Sequence, residues 1–330
     1  MRRIAFLRGA LAGLASLVVE TTDERLLPSP ERLGGAHADA LTEERLAELE
    51  SHAELLRARC RTDGRVRFTH DLVRQAGHAA AMFDAAPLWH PLRGRAALTA
   101  ANACYVAGHA FVDRLRVIRA QQWFAKAAEY AVAAGSLDLR ILAQCGTAHA
   151  DVQGRLPARA IDRLVPMETG GPDVQSHYVA IELALTHAAN GDDYEAMSAL
   201  DRAESYARQL ADEPPSPVLG RPSEDQTWHW RGYAAARLGH TEEAKAAIAR
   251  SYQSLPETWR CARGELVCEL ASVFAREGEV DRSADLLRSA WLTAKATFSR
   301  KNLLRALEVR AQLPDGAASV RALDELMRAS

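Results

Sequence analysis

Apolar side chains recur at three- and four-residue spacing along most of the chain from residue 40 onward, and the alternation typical of strands is almost absent. The first such segment begins at Thr42, a residue type that caps helix N-termini, and it ends at Asp63 and Gly64. The same spacing predicts further helices, with boundaries at Pro87, Pro91 and Gly108, over 68–84, 92–107 and 112–134. The pattern therefore predicts an all-helical protein.

The C-terminal half repeats a unit of one helix, a glycine turn and a second helix. Its turns contain Gly191, Gly239 and Gly278, with a weaker copy at Gly154. Once the proline-rich loop at 212–222 is set aside, the repeat is about 40 residues long, which is in the range of stacked helical hairpins. A single hairpin leaves an apolar face open, and the next hairpin covers it. We therefore expect a stacked array with a concave surface.

Three successive copies resemble the tetratricopeptide repeat (TPR), which places a small residue, a hairpin glycine, an alanine and a large apolar residue at fixed spacing. The best copy contains Trp228, Gly232, Gly239, Ala244, Ile248 and Pro256. The resemblance implies an all-α fold, a right-handed superhelical α-solenoid of antiparallel helical hairpins. Because small side chains allow helices to approach closely, we expect the hairpin backbones to meet at Gly232 and Ala244.

On this basis the chain divides into four segments. An N-terminal apolar helix and linker occupy residues 1–40, and irregular leading helical hairpins occupy 41–135. TPR-like repeats follow at 136–312, and a C-terminal capping helix occupies 313–330.

A broader resemblance covers nearly the whole chain and concerns helix-turn-helix transcriptional regulators of high-GC bacteria. The order of a twin-arginine opening, long leading helices and helical repeats is similar to the C-terminal repeat half of these proteins. No helix-turn-helix pattern is found in the first sixty residues, and no basic helix with base-reading spacing follows. The resemblance implies regulation through the repeats, without the DNA-binding domain, and we expect no direct binding to nucleic acid.

The N-terminus combines Arg2 and Arg3 with an apolar run at 9–19, an order that also occurs in targeting signals. Arg8 interrupts the segment, and the run is too short to span a bilayer. We expect a helix packed on the body of the protein, and a targeting signal is the alternative.

Composition narrows the cellular setting and the classes of partner. The 330 residues carry a formal net charge of −2, so no global charge draws the chain to nucleic acid or anionic lipid. Five scattered cysteines without a Cys-x-x-Cys pair are typical of reduced thiols. These features predict a cytoplasmic protein without a membrane partner.

The chain lacks the usual catalytic and cofactor motifs. It contains no dinucleotide or phosphate-binding glycine loop, no His-Glu-x-x-His and no Gly-x-Ser-x-Gly. Histidine pairs such as His70 and His78 are spaced too widely for helical metal ligands. We therefore predict no enzymatic activity, no cofactor and no metal.

The repeat register points a mixed polar set toward the concave groove, which is the candidate ligand-binding site. Its members are Gln144, Asp151, Tyr178, Glu182, His229, Tyr233, Arg237, Glu265 and Arg276. Arginine forks and tyrosine rings suit a peptide or a small polar-aromatic ligand. A phosphate ligand would instead require convergence of Arg237, Arg260, Arg263 and Arg276.

The main hypothesis is a non-catalytic regulatory or scaffold protein that binds a peptide or protein partner in the groove. One alternative is a regulator that senses a small-molecule effector and has lost its DNA-binding domain. Another is an unrecognised enzyme with a site in the groove. A homodimer is compatible with each of these hypotheses.

Overall fold

The computed structural model describes residues 41–216 and 218–329, and these residues are helical with no strand. The expected N-terminal helix within 1–40 lies outside the described residues. Fourteen α-helices occur in the described ranges and are numbered here in chain order: α1 Glu43–Asp63, α2 Thr69–Ala85, α3 Arg93–Asp113, α4 Val117–Ala133, α5 Leu137–Gln153, α6 Pro157–Leu164, α7 Val174–Asn190, α8 Asp193–Gln209, α9 Glu224–Leu238, α10 Thr241–Ser254, α11 Arg260–Arg276, α12 Val280–Ala296, α13 Arg300–Arg310 and α14 Ala318–Ala329.

Several helices begin and end where the sequence chemistry favours it. The Thr42 side chain accepts a hydrogen bond from the backbone N–H of Arg45, which confirms the predicted start of α1. Ser223 caps α9 in the same way. Gly191 and Gly239 end α7 and α9 in the left-handed backbone region, which glycine enters without steric cost.

The predicted boundary at Gly108 is wrong, because α3 runs through this residue to Asp113 and α4 begins only at Val117. A Cβ atom built on Gly108 would lie 2.6 Å from the Phe124 ring. The glycine therefore lets α4 approach α3 closely and does not break the helix. The actual turn contains Leu115, which has a positive φ of 59°.

Consecutive helices pack as hairpins, and the odd-numbered helices from α3 to α13 form a continuous inner layer. Each of them contacts the next odd-numbered helix: α3 with α5, α5 with α7, α7 with α9, α9 with α11 and α11 with α13. Each even-numbered helix from α4 to α12 packs against the two odd-numbered helices that flank it in sequence, and α14 packs on α12. The apolar core continues from α4 into α5, across residue 135.

The two ends of the array meet. Helix α13 contacts α3, and α11 contacts α1. A Cβ built on Gly64, at the end of α1, would lie against the carbonyl oxygen of Thr297, which follows α12. Arg155, after α5, pairs with Glu308 of α13 at 3.1 Å. We call these contacts, which join the last helices to α1, α3 and the end of α5, the seam.

Small residues do mark the close approach of α9 and α10. Gly232 lies against Ile248, however, which is one helical turn beyond the predicted partner Ala244. A Cβ on Gly232 would meet the side chain of Ile248 at 2.8 Å and its backbone nitrogen at 3.1 Å. Ala244 is fully buried but is not the direct partner. The spacing correctly identified the hairpin, while the exact contact depends on how the two helices slide along each other.

No helix in the described ranges is long and apolar enough to cross a membrane. All five cysteines are free thiols, and four of them are buried.

Gly146 offers a direct test of the close packing around Phe124. A Cβ at this position would lie 2.5 Å from the Phe124 ring, so Gly146→Ala should lower the free energy of unfolding by about 1–3 kcal/mol through overpacking. Gly94→Ala, at an exposed helix position with no atom within 4 Å, should instead stabilise the protein by up to about 1 kcal/mol. Urea denaturation measures both. The cost of Gly146→Ala should shrink in a Phe124→Leu background, and an equal cost in both backgrounds would contradict this explanation.

Candidate functional site

Polar side chains lie on every helix of the inner layer, and on each of these helices except α5 they are spaced four residues apart. We call this set the inner stripe. Its members are Tyr105, His109 and Asp113 of α3, His149 of α5, Tyr178 and Glu182 of α7, His229, Tyr233 and Arg237 of α9, Glu265 and Glu269 of α11, and Lys301 and Arg305 of α13. Residues four apart lie on the same helix face. The inner face is therefore polar, although the contacts between the helices are apolar.

One end of the inner stripe is held by the ion pair of Glu265 and Lys301. The Lys301 ammonium lies 2.9 and 3.0 Å from the two carboxylate oxygens. Burial opposes ionisation of Glu265, yet the Lys301 charge and its hydrogen bond lower the pKa of this carboxyl to about 2. The two side chains are 13% and 16% exposed, so the pair keeps some access from the inner face.

Glu269 is fully buried between two arginines. Arg305 donates to both carboxylate oxygens, at 2.9 and 2.6 Å, and Arg237 donates to Oε1 at 3.2 Å. Burial alone would raise the pKa of Glu269, but the charges of Arg305 and Arg237 lower it. The guanidinium of Arg237 also stacks 4.4 Å from the Tyr233 ring. This network satisfies a buried carboxylate and fixes α9, α11 and α13 relative to one another.

A second group of the inner stripe is mainly aromatic. The rings of Tyr105 and His109 lie edge to face with centroids 4.7 Å apart, and the His149 ring lies 6.2 Å from that of His109. The Glu182 carboxylate is 3.8 Å from Nδ1 of His149. Burial holds the pKa of His109 well below its usual value, so this imidazole is neutral near pH 7.

These two groups face each other across the interior. The charge of His149 on α5 reaches Glu265 on α11, and that of Lys301 on α13 reaches His109 on α3. Tyr105 on α3 is likewise within electrostatic reach of Glu182 on α7. These helices are not neighbours in the sequence, so the interactions between them show that the inner stripe is one compact site.

Six of the nine residues predicted for the groove lie on the inner stripe: Tyr178, Glu182, His229, Tyr233, Arg237 and Glu265. Tyr178 donates its hydroxyl to the Leu219 carbonyl at 2.7 Å, which ties the 212–222 loop to the site. His229 is buried, with Nδ1 3.2 Å from the Ser251 hydroxyl. These residues combine contacts to the fold with placement at the inner face.

The other three predicted residues lie elsewhere, which corrects the expected register. Gln144 accepts a hydrogen bond from Arg163 of α6 at 3.4 Å, and Asp151 is fully buried and accepts from Gln121 of α4 at 2.6 Å. Both therefore face the outer helices. Arg276 donates to the carbonyls of Ala236 and Arg237, where it caps the C-terminal end of α9. Its role in the structure is to hold α9 against α11.

The sequence prediction missed seven members of the inner stripe: Tyr105, His109, Asp113, His149, Glu269, Lys301 and Arg305. The available signal was the four-residue polar spacing on the first helix of each hairpin, which is the same in Tyr105 and His109 as in Glu265 and Glu269. Two of the arginines proposed for phosphate binding have partners within the protein. Arg263 donates to the Leu255 carbonyl, and Arg237 is used by Glu269.

No three His, Cys, Asp or Glu side chains are grouped as a metal site within residues 41–216 and 218–329. Comparison with known proteins adds no assignment, since no protein-family model, curated protein or solved structure matches this chain.

The ion pair of Glu265 and Lys301 can be tested by a double-mutant cycle. Glu265→Gln leaves a buried ammonium without its partner and should lower the free energy of unfolding by about 3 kcal/mol. Adding Lys301→Met should restore most of this loss, because an apolar side chain replaces the unpaired charge. Glu129→Gln, in the exposed pair with Lys126, should change stability by less than about 0.5 kcal/mol. Strict additivity of the two inner substitutions in urea denaturation would contradict the pairing.

Two buried histidines should make stability dependent on pH. Burial lowers the pKa of both His177 and His229 to about 4, whereas an unfolded histidine titrates near 6.5. Below pH 6.5 the unfolded chain gains protons that the folded chain does not bind, so stability falls by about 1.4 kcal/mol per pH unit for each histidine until pH 4. His177→Gln should reduce this slope between pH 6.5 and 5, and exposed His70→Gln should not. Equal slopes in urea titrations of wild type and His177→Gln would contradict the assignment.

Proposed function

We propose that this chain is a non-catalytic regulatory protein that binds a small molecule on the inner stripe. The observation that carries the proposal is the convergence of polar and aromatic side chains from six helices on one inner face. Several of these side chains, including Tyr105, His109 and Glu182, are only half-buried although they lie inside the array. Concave sites with a few convergent polar groups and aromatic walls are typical of small-molecule binding.

The dimensions of the interior favour a small ligand over a protein segment. Glu265 and His149 interact from opposite sides of the inner layer, and the seam joins the two ends of the array. A helix or extended chain would need an open face, which the seam contacts of Gly64 with Thr297 and of Arg155 with Glu308 restrict. A molecule the size of an amine or an amino acid needs no such opening.

The pKa shifts support a non-catalytic role. General acids and bases work best when their pKa lies near the operating pH. Here the pKa of Glu265 is lowered to about 2, that of Lys301 is raised, and that of His109 is lowered well below its usual value. All three shifts move away from neutrality, as expected for groups that fix charges in place.

The proposal includes a fold of the TPR-like class, a right-handed superhelix of hairpins. Three observations support this fold: the close approach of α9 and α10 at Gly232, the left-handed backbone conformation of Gly191 and Gly239, and the successive contacts among the odd-numbered helices. A regulatory role follows from the resemblance to the repeat half of transcriptional regulators.

A protein partner is the second candidate, and a surface outside the inner stripe favours it. Leu88 and Trp89, in the connection between α2 and α3, are 88% and 81% exposed. Large apolar side chains at this exposure are typical of contact surfaces. Under this alternative the partner binds at Leu88 and Trp89.

The small-molecule proposal predicts that the purified protein retains or accepts a low-mass ligand. Native mass spectrometry should detect an adduct, or a metabolite panel should contain a compound that raises the melting temperature by several degrees. His149→Phe keeps the ring volume but removes its polar atoms, and it should weaken this effect at least tenfold. His78→Phe, at an exposed position on α2, should leave the effect unchanged.

Two results would contradict the proposal: no adduct and no stabilising compound, or equal binding by His149→Phe and wild type. Specific capture of a protein that is lost in Trp89→Ala, without any small-molecule ligand, would favour the second candidate.

A further inference from the structure

Glu182 differs from the other carboxylates of the inner stripe in having no arginine or lysine partner among the described residues. Asp113 pairs with Arg65, Glu265 pairs with Lys301, and Glu269 pairs with Arg305 and Arg237. The ionic contact of Glu182 is to Nδ1 of His149 at 3.8 Å, which is longer than a hydrogen bond. Among the described residues, its negative charge is thus compensated only by this longer contact.

The neighbours of this carboxylate are aromatic rings. The His149 ring is followed at 6.2 Å by that of His109, and the His109 ring is followed at 4.7 Å by that of Tyr105. Tyr178 precedes Glu182 by one helical turn on the same face of α7. The Glu182 side chain is 19% exposed, so its oxygens remain accessible from the inner face.

The cationic side chains of the inner stripe are already engaged by carboxylates. Lys301 makes two contacts to Glu265, and Arg305 makes a bidentate contact to Glu269. An anionic ligand would have to displace an internal carboxylate, and its charge would repel Glu182. A metal ion prefers several oxygen ligands, and no group of three His, Cys, Asp or Glu side chains that could hold one occurs in the described part of the chain.

We propose that the ligand of the inner stripe carries an organic ammonium group, which binds the Glu182 carboxylate and lies against the Tyr105, His109 and His149 rings. This inference rests on the proposed small-molecule function and specifies the class of ligand. An ammonium group would give the Glu182 carboxylate a closer charge partner, and aromatic rings attract a cation through their negative faces. The apolar part of the ligand then packs on the same rings.

The pKa pattern agrees with this geometry. Burial, followed by the charge of Glu182, raises the pKa of the Tyr105 phenol, so Tyr105 stays protonated. His109 is neutral near pH 7 because burial lowers its pKa well below its usual value. Neither ring therefore places a charge beside the carboxylate that would oppose a bound cation.

Isothermal titration calorimetry with three probes of similar size tests the inference on the full chain. The probes are phenethylamine, which is cationic, 2-phenylethanol, which is neutral, and phenylacetate, which is anionic. We expect phenethylamine to bind at least tenfold more tightly than either of the others. Glu182→Gln, which keeps the shape of the side chain but removes its charge, should weaken phenethylamine binding at least tenfold.

The matched control is Glu325→Gln, at an exposed glutamate of α14, which should bind phenethylamine as wild type does. Circular dichroism and the melting temperature verify that each variant is folded, and Glu182→Asp provides a second variant that keeps the charge and should retain measurable binding.

Three outcomes would overturn the ammonium inference: no phenethylamine binding at millimolar concentration, equal or tighter binding of the neutral or anionic probe, or undiminished binding by folded Glu182→Gln. The small-molecule function is judged separately by native mass spectrometry. A retained neutral or anionic ligand that depends on His149 would reject the ammonium group and keep the function, whereas the absence of any ligand would reject both.

Discussion

Close contact between helices through glycine and alanine is the constraint on which the rest of this structure depends. Gly108 and Gly146 bring α3 and α5 onto the Phe124 ring from two sides, and Gly232 brings α9 onto the backbone of α10. Fully buried alanines such as Ala184, Ala244 and Ala306 recur along the array. Small side chains allow short distances between helix axes, and dense packing then leaves little freedom in the relative rotation of the helices. These contacts therefore set the distances and relative rotations of the helices in the inner layer.

The polar interior is possible because most of its charges are paired. Moving an isolated charge out of water is costly, and a buried charge is tolerated only with a partner and hydrogen bonds. Lys301 with Glu265, and Arg237 and Arg305 with Glu269, meet this condition across three helices. The inner layer can thus be polar on its inner face while its helix-to-helix contacts remain apolar. Glu182 differs from these carboxylates, because its ionic contact among the described residues is to His149, at 3.8 Å.

The seam limits how open the inner face of the array is. An array of hairpins presents an open surface as long as its ends stay apart. Here Gly64 at the end of α1 lies against Thr297, and Arg155 after α5 pairs with Glu308 of α13, so the last helices contact earlier parts of the array.

The sequence by itself determined the helical class, several helix ends and the hairpin turns, because capping, backbone preference and apolar periodicity act over a few residues. Thr42, Gly191 and Gly239 all act where this local chemistry predicts. It also indicated much of the inner stripe, since the four-residue spacing of Tyr178 and Glu182 fixes their common face.

Tertiary structure decided which face of each helix turns inward. Adjacent residues on a helix differ by about 100° around its axis, so a small error in register moved the expected site on α5 from His149 to Gln144 and Asp151. It also decided that Gly108 serves a contact with Phe124 and does not end α3. Pairing between distant residues arises only in the folded array: Glu265 meets Lys301 when successive hairpins stack, and Arg155 meets Glu308 when the last helices return to α5. Local sequence preferences carry no information about which distant side chains that folding brings together.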